Sequence, residues 1–268
     1  MTLVALVGGS GKLGRIIRDI VEREPGFEIH AVLGSASAMS ELDGADLVID
    51  ATHPEVSERV VRAATERGMD LLVATSGWSA ERVAAVRPLI EAAGTRAVFI
   101  PNFSLGSVIG SAIAAAAAPF FEFAEIVEAH RDTKVDSPSG TAVRTAELIT
   151  ARREGPVSAP HVDQRARGQQ VASVPVHSLR RPGVIAQQQA ILSGPGETLT
   201  VVHDTSDPAA AYAPGIRLAL AASRGGRGVL VGLENFLDIG LGAAGSRAPE
   251  AGLDEGGVTG QVGRATSA

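Results

Sequence analysis

The chain has 268 residues, 45% of them apolar and 20% charged, the usage of an ordinary globular protein with room for one large domain or two smaller ones. Its formal charge of −6 and its 3% of aromatic side chains offer neither the basic footprint nor the stacking platforms that nucleic acid demands, which excludes that class of partner. The absence of cysteine excludes disulfides, thiolate metal sites and cysteine nucleophiles, and a cytoplasmic location is expected.

From the N-terminus, short apolar runs alternate with helical periodicity, the pattern of a parallel sheet flanked by helices. Strands are expected at Leu3–Val7, Glu28–Leu33, Asp46–Asp50, Asp70–Ala74 and Arg96–Ile100. Between the first two, Leu13, Ile16, Ile17, Ile20 and Val21 form the apolar stripe of a helix that Pro25-Gly26 ends. Further helices are expected at Pro54–Arg67, with proline in the first turn, and at Ser79–Ala93 behind a serine cap.

From about Ser104 the pattern changes to an alanine-rich helix, a strand at Phe123–His130 and a helix opening near Ser139. The runs Ala172–Arg180, Val184–Leu192 and Thr198–Asp204 then predict an open mixed sheet, and Pro208–Ser223 a helix with a broken start. Gly228–Leu233 reads as a last strand returning to the first sheet. The expected fold class is α/β, with a dinucleotide-binding domain over 1–103 plus 213–238 and an α+β domain for substrate and oligomerisation over 104–212. Residues 239–268, rich in glycine, alanine and serine without periodicity, are expected to be a flexible tail. The weakly polar run Val108–Phe121 is too short to span a bilayer, and the start MTLVALVGG carries no basic leader, so neither insertion nor secretion is expected.

Two stretches carry chemistry. In VALVGGSGKLG, the residues Gly8, Gly9, Ser10, Gly11, Lys12, Leu13 and Gly14 lie between a strand and a helix, where a phosphate can meet free N–H groups at the positive end of a helix dipole. A tight structural turn is the alternative reading of these glycines; a complete βαβ unit favours the dinucleotide. The acidic residue that grips the ribose of NAD about 20 positions on is replaced by HAVLGSASA. His30 is read there as a strand residue, and Ser35, Ser37 and Lys12 as donors for a 2′-phosphate, which favours NADPH over NADH.

The second stretch, EIVEAHRDTKVDSPSGTA, places His130, Arg131 and Lys134 just before Ser139, Gly140 and Thr141 at a helix N-terminus. Such a segment can receive a carboxylate and supply a proton; a serine cap beside a solvated basic loop is the alternative. Only two of the 24 basic residues are lysines, Lys12 and Lys134, which tilts the reading toward function. Asp132 and Asp136 could orient Lys134 by charge, though exposed pairs contribute only about 0–1 kcal/mol. His53, His161, His177 and His203 are given no catalytic role, and no His/Asp/Glu cluster shows metal spacing.

Over residues 3–238 the chain resembles the 4-hydroxy-tetrahydrodipicolinate reductase family, also called dihydrodipicolinate reductase. The likeness is carried in order by GGSGKLG, VIDATHP (Val48–Pro54), ATSGW (Ala74–Trp78), PNFSLG (Pro101–Gly106), HRDTKVDSPSGTA, VHSLRRPG (Val176–Gly183) and HDT (His203–Thr205). The resemblance implies a Rossmann-type domain, a second α+β domain and a homotetramer. It implies that Gly8–Gly14, Ala51, Thr52, Ala74, Thr75, Ser76, Gly77, Pro101, Asn102 and Phe103 line the NADPH or NADH site. It implies that Lys134 and His130 are the proposed acids and that Gly140 and Thr141 bind carboxylate on a small cyclic dicarboxylate.

The chain departs from the family pattern at Arg131, where a second histidine is usual, at Gln187 and Gln189, at Ala51, and after HDT, where Pro208 stands near the place of an arginine. These departures keep two alternatives in view. One is a diverged paralogue reducing a related cyclic imine or unsaturated amino acid; the other is a non-catalytic NADP(H)-binding protein.

Overall fold

The computed structural model describes residues 1–240, and the tail expectation falls mostly outside the described residues. Six parallel strands form the first sheet: β1 (Thr2–Val7), β2 (Phe27–Leu33), β3 (Leu47–Asp50), β4 (Asp70–Val73), β5 (Arg96–Phe99) and β11 (Gly228–Val231). Their order is β11-β5-β4-β3-β1-β2. β3 and β4 are apolar along nearly their whole length because helices cover both faces of the sheet, which removes the alternation a half-exposed strand would show. On one face, α2 (Pro54–Glu66) and α3 (Ala80–Ala93) pack Val60, Val61, Val83, Val86 and Ile90 against Val48, Leu71 and Val73. On the other, α1 (Lys12–Val21) and α6 (Pro208–Ala222) pack Ile17, Val21, Ile216 and Leu220 against Leu6, Ile49 and Val98. The chain runs outward from β1 to β2 in one direction and from β3 to β11 in the other. The strand order therefore reverses between β1 and β3, and the crevice at their carboxyl ends is where open α/β sheets bind ligands.

The second sheet has order β10-β9-β6-β8-β7 and includes β6 (Phe123–His130), β7 (Gln169–Val171), β8 (Val174–Arg180), β9 (Ala186–Gly194) and β10 (Glu197–Thr205). It is open and mixed: β6 and β8 are parallel, and the other pairs antiparallel. The three late runs share this sheet, but β6 lies between β8 and β9. Two boundaries differ from the sequence expectation. Ala172, at φ 52°, turns the chain so that Val171 pairs Val174; the first run therefore starts as a strand at Val174 rather than Ala172, and an additional short strand, β7, precedes it. The second run starts at Ala186 rather than Val184, after the turn that carries Gly183.

α4 (Leu105–Ala117) and α5 (Gly140–Ala151) cover one face of this sheet, where Ala114, Ala142, Ala146 and Ile149 meet Ala124, Ile126, Val176, Ala190 and Leu192. The small side chains let the two helices approach closely. On the opposite face Leu179 and Val202 are exposed, and Val127, Gln189 and Ile191 are half-buried. Among the described residues, no helix is long and apolar enough to cross a membrane.

Candidate active site

The glycine turn sits in the crevice between β1 and β3. Gly8 adopts φ +85°, and a Cβ there would overlap the carbonyl oxygen of Ala51, so the turn lies directly on the chain leaving β3. A Cβ on Gly14 would overlap the Gly8 carbonyl and the Gly9 Cα, which is how α1 starts so close to the turn. Gly11 is the N-cap, without a side chain to satisfy the helix, and exposed Lys12 and half-buried Leu13 open the first turn, whose N–H groups have no acceptor within the helix. Gly9 is buried and Ser10 exposed. The cradle is thus open to an anion at the positive end of α1.

The strand ends beside it are braced by buried polar groups. Asp50 is fully buried and accepts from the Thr52 N–H at 3.2 Å, the Thr52 hydroxyl at 2.5 Å and the Ser57 hydroxyl. Thr75 accepts from the Thr52 N–H at 2.8 Å, and Trp78 Nε1 donates to Ser57 Oγ at 2.8 Å. This lattice holds Ala51 and Thr52 next to Ala74 and Thr75, while Ser76 and Gly77 remain exposed beyond them. His30 lies in β2, its Nε2 3.0 Å from the Asp43 carbonyl oxygen, in keeping with the strand reading. Ser37 Oγ accepts from the Gly34 N–H, and Ser35 is exposed.

The segment that follows β5 reaches the second sheet. Pro101 is exposed and Phe103 buried in the first core, while Asn102 lies between them. Its Oδ1 accepts from the Ser104 N–H at 2.9 Å, and its Nδ2 donates to Ser107 Oγ at 2.9 Å and to Thr141 Oγ1 at 3.1 Å. The segment leaving β5 therefore meets the second chemistry-bearing stretch at Asn102 and Thr141. Ser104 caps α4, and its hydroxyl lies 3.2 Å from His203 Nε2. Burial pushes the His203 imidazole below its ordinary value, against the opposing pull of Asp204.

At the head of α5, Ser139 is buried and caps the helix, its hydroxyl accepting from the Ala142 N–H. The N–H groups of Gly140 and Thr141 head the helix and have no acceptor within it. His130, at the end of β6, is half-buried, with Nδ1 2.6 Å from Glu128 Oε2. Glu128 is fully buried and also takes both terminal nitrogens of Arg180, at 3.0 and 2.9 Å, and the Ser139 N–H at 3.2 Å. Burial works to raise this carboxyl, but the bonds from His130 and Arg180 outweigh it and bring it down to about 2. Arg180 donates as well to the carbonyls of Lys134 and Asp136, which frames the loop between β6 and α5.

Lys134 Nζ lies 2.6 and 2.7 Å from the two carboxylate oxygens of Asp136, so the loop acid does engage the lysine. Burial raises the Asp136 carboxyl, yet the hydrogen bond and charge of Lys134 prevail and hold it below the ordinary carboxylate value. Arg131 is exposed, with Nε 3.1 Å from Thr133 Oγ1, and its charge acts on Tyr212 of α6, whose hydroxyl burial pushes above its ordinary value. Gln187 and Gln189 face away from this cluster. Strand alternation puts them on the opposite side of the sheet, where Gln187 Nε2 donates to Asp204 Oδ2 at 3.1 Å. His177 stands on that same face and bonds Glu125, which also pairs Arg167.

Sequence reasoning passed over Glu128. Its signal was present: Ala124 and Ile126 face the helices, and alternation puts an acid at the next core-facing position. Among the described residues no group of three His, Asp or Glu side chains could hold a metal ion.

Known proteins match this chain throughout. The family described as "Dihydrodipicolinate reductase, N-terminus" matches residues 2–103 and that described as "Dihydrodipicolinate reductase, C-terminus" residues 106–237. The chain is 50% identical over 276 aligned positions to a 4-hydroxy-tetrahydrodipicolinate reductase of Clavibacter michiganensis subsp. michiganensis, covering 100% of this chain and 99% of that one. It is 38% identical to the enzyme of the same name from Streptomyces coelicolor, over 88% of this chain and 98% of that one. A dipicolinate-bound dihydrodipicolinate reductase from Paenisporosarcina sp. TG-14 superposes with a TM-score of 0.73 at 27% identity, covering 88% of this chain and 100% of that one.

Proposed function

Because the chain belongs to the dihydrodipicolinate reductase family, we propose that it reduces 4-hydroxy-tetrahydrodipicolinate to tetrahydrodipicolinate in lysine and diaminopimelate biosynthesis, using a reduced pyridine nucleotide. The net change adds a hydride and a proton and releases the 4-hydroxyl as water. The observation that carries this reading is the Asn102–Thr141 hydrogen bond, which sets the end of the segment leaving β5 in the nucleotide-binding sheet beside the head of α5. The half-identical relative that spans the whole chain favours this substrate over a related imine and over a non-catalytic binding role.

The residues present fit the nucleotide. Gly8 and Gly14 let the turn close on the Ala51 carbonyl and on the start of α1, and the first-turn N–H groups of α1, which have no acceptor within the helix, would receive a pyrophosphate. Nicotinamide, when bound, supplies the hydride. Ala51, Thr52, Ala74–Gly77 and Pro101–Phe103 line its ribose and ring, on strand ends that the Asp50 lattice holds still. Lys12, Ser35 and Ser37 suit a 2′-phosphate, which favours NADPH over NADH.

The Gly140 and Thr141 N–H groups and the Thr141 and Ser139 hydroxyls take one carboxylate of the substrate, a cyclic dicarboxylate like the dipicolinate of the Paenisporosarcina complex. Arg131 supplies a fixed charge for the other. Lys134 or His130 delivers the proton, with Lys134 leaving Asp136 to do so. The open face around Val127, Leu179, Ile191 and Val202 is the surface through which a homotetramer forms, and the enzyme works in the cytoplasm.

The test is consumption of NADPH and of NADH, followed by absorbance, with freshly generated product of the preceding synthase. Turnover with either nucleotide is expected, NADPH being preferred. No substrate-dependent consumption with either would overturn the assignment, and reduction of a related imine instead would establish the paralogue.

A further inference from the structure

We infer that Glu128 is a positioning residue for the reduction: a carboxylate sealed beneath the site that sets the tautomer and orientation of His130 and, through Ser139 and Arg180, the helix head and loop that face the substrate. The inference rests on the reading of His130 as a site residue.

Glu128 occupies the third helix-facing position of β6, in line with Ala124 and Ile126, where an apolar side chain would complete the core. Placing a charge there costs several kcal/mol unless every lone pair finds a donor. Four donors are present: His130 Nδ1 at 2.6 Å, the two Arg180 nitrogens at 3.0 and 2.9 Å, and the Ser139 N–H at 3.2 Å. An ion pair of this kind adds little stability over a well-packed apolar replacement, so stability alone is a weak account of its presence.

The four bonds reach the elements that bear the proposed chemistry. An ionised carboxylate only accepts hydrogen bonds, so the Glu128 contact requires the proton of His130 to be on Nδ1. Nε2 is then the ring atom free to exchange a proton with a substrate. Through its backbone N–H, Ser139 is fixed at the cap of α5, and Gly140 and Thr141 follow it. Arg180, held by the same carboxylate, clamps the carbonyls of Lys134 and Asp136 at 3.3 and 2.7 Å. Removing the carboxylate releases the imidazole, the helix head and the lysine loop together.

The experiment compares the full-length wild type with Glu128→Gln and Glu128→Asp, reading His130 by 15N NMR of histidine-labelled protein, assigned with a His130→Asn control, alongside kcat, KM and NADPH affinity. In the wild type the His130 proton is expected on Nδ1. Glutamine keeps the shape but turns an acceptor into a donor, so Glu128→Gln should move that proton to Nε2 and lower kcat about 10- to 100-fold, with NADPH affinity within about 2-fold. Glu128→Asp should recover part of the rate. A wild-type His130 protonated on Nε2 while neutral overturns the inference even if Glu128→Gln does not fold. So does an unchanged ring state in Glu128→Gln with kcat within about 2-fold of wild type. The ring measurement needs no turnover, so a wild type that fails to reduce the substrate sinks the assigned reaction and leaves the test of Glu128 standing.

Discussion

At the ends of β1 and β3 the site is made of backbone. Gly8 and Gly14 let backbone segments close up because they carry no side chain, and the first turn of α1 presents N–H groups that nothing in the helix can use. At the end of β6 it is made of side-chain charge: half-buried His130 and Arg180 gather on the buried carboxylate of Glu128, and Lys134 is tethered to Asp136 beside them. The first arrangement suits a ligand that is held; the second suits one that must also gain a proton. Binding and turnover should therefore separate between the two regions when each is damaged.

The largest separation is expected at Lys134. Lys134→Ala removes an ammonium group from the charged region and leaves the glycine turn untouched, so kcat should fall about 100-fold or more while NADPH affinity stays within about 2-fold. Single-turnover kinetics and nucleotide titration measure the two quantities separately. A rate close to wild type would take Lys134 out of the mechanism and leave His130 as the proton donor.

The opposite damage comes from Gly14→Ala. The new methyl group meets the Gly8 carbonyl and the Gly9 Cα, backbone atoms that yield only if the turn moves. Overpacking of this kind costs about 1–3 kcal/mol, so NADPH affinity should weaken about 5-fold or more. Saturating nucleotide should restore most of kcat. If kcat stayed low at saturation, the turn would be shaping the reaction as well as the binding, and the contrast between the regions would be too sharp.

The backbone-built half was the more legible in sequence for a physical reason. Continuous apolar strands, a helical stripe through Leu13, Ile17 and Val21, and glycines at a strand-to-helix turn are local signals, each readable within a few residues. The charged half depends on pairings across the chain. His130 and Lys134 stood out by residue type, but Glu128 and Arg180 lie 52 positions apart, and only the β6–β8 register brings them together. Ala172 hid the turn between β7 and β8, because nothing about alanine announces a left-handed backbone. Gln187 and Gln189 drew attention as departures from the family pattern, yet alternation along β9 puts them across the sheet from His130.

The smallest effect expected is the one that tests whether the two regions are independent. Asn102, on the segment leaving β5, is their join: it bonds Ser104 and Ser107 at the start of α4 and Thr141 at the head of α5. Thr141 in turn carries Thr145, whose hydroxyl donates to the Thr141 carbonyl and meets Ser111 and Gln188 in a buried polar chain between α4, α5 and β9. Asn102→Ala and Thr141→Val each remove one end of the 3.1 Å bond, the second with little change of shape. Independent sites add within about 0.3–0.5 kcal/mol in denaturant unfolding, whereas contacting pairs in one network depart from additivity by about 0.5–3 kcal/mol. A double-mutant cycle should give a coupling near the low end of that range, since the bond is neutral and half-exposed to the site. The same cycle in KM for the dicarboxylate should show coupling of the same sign, because a loosened α5 head presents its N–H groups to the carboxylate less well. Additive behaviour in both would mean that the nucleotide crevice and the helix head are neighbours without being joined, and that substrate alone brings them into register.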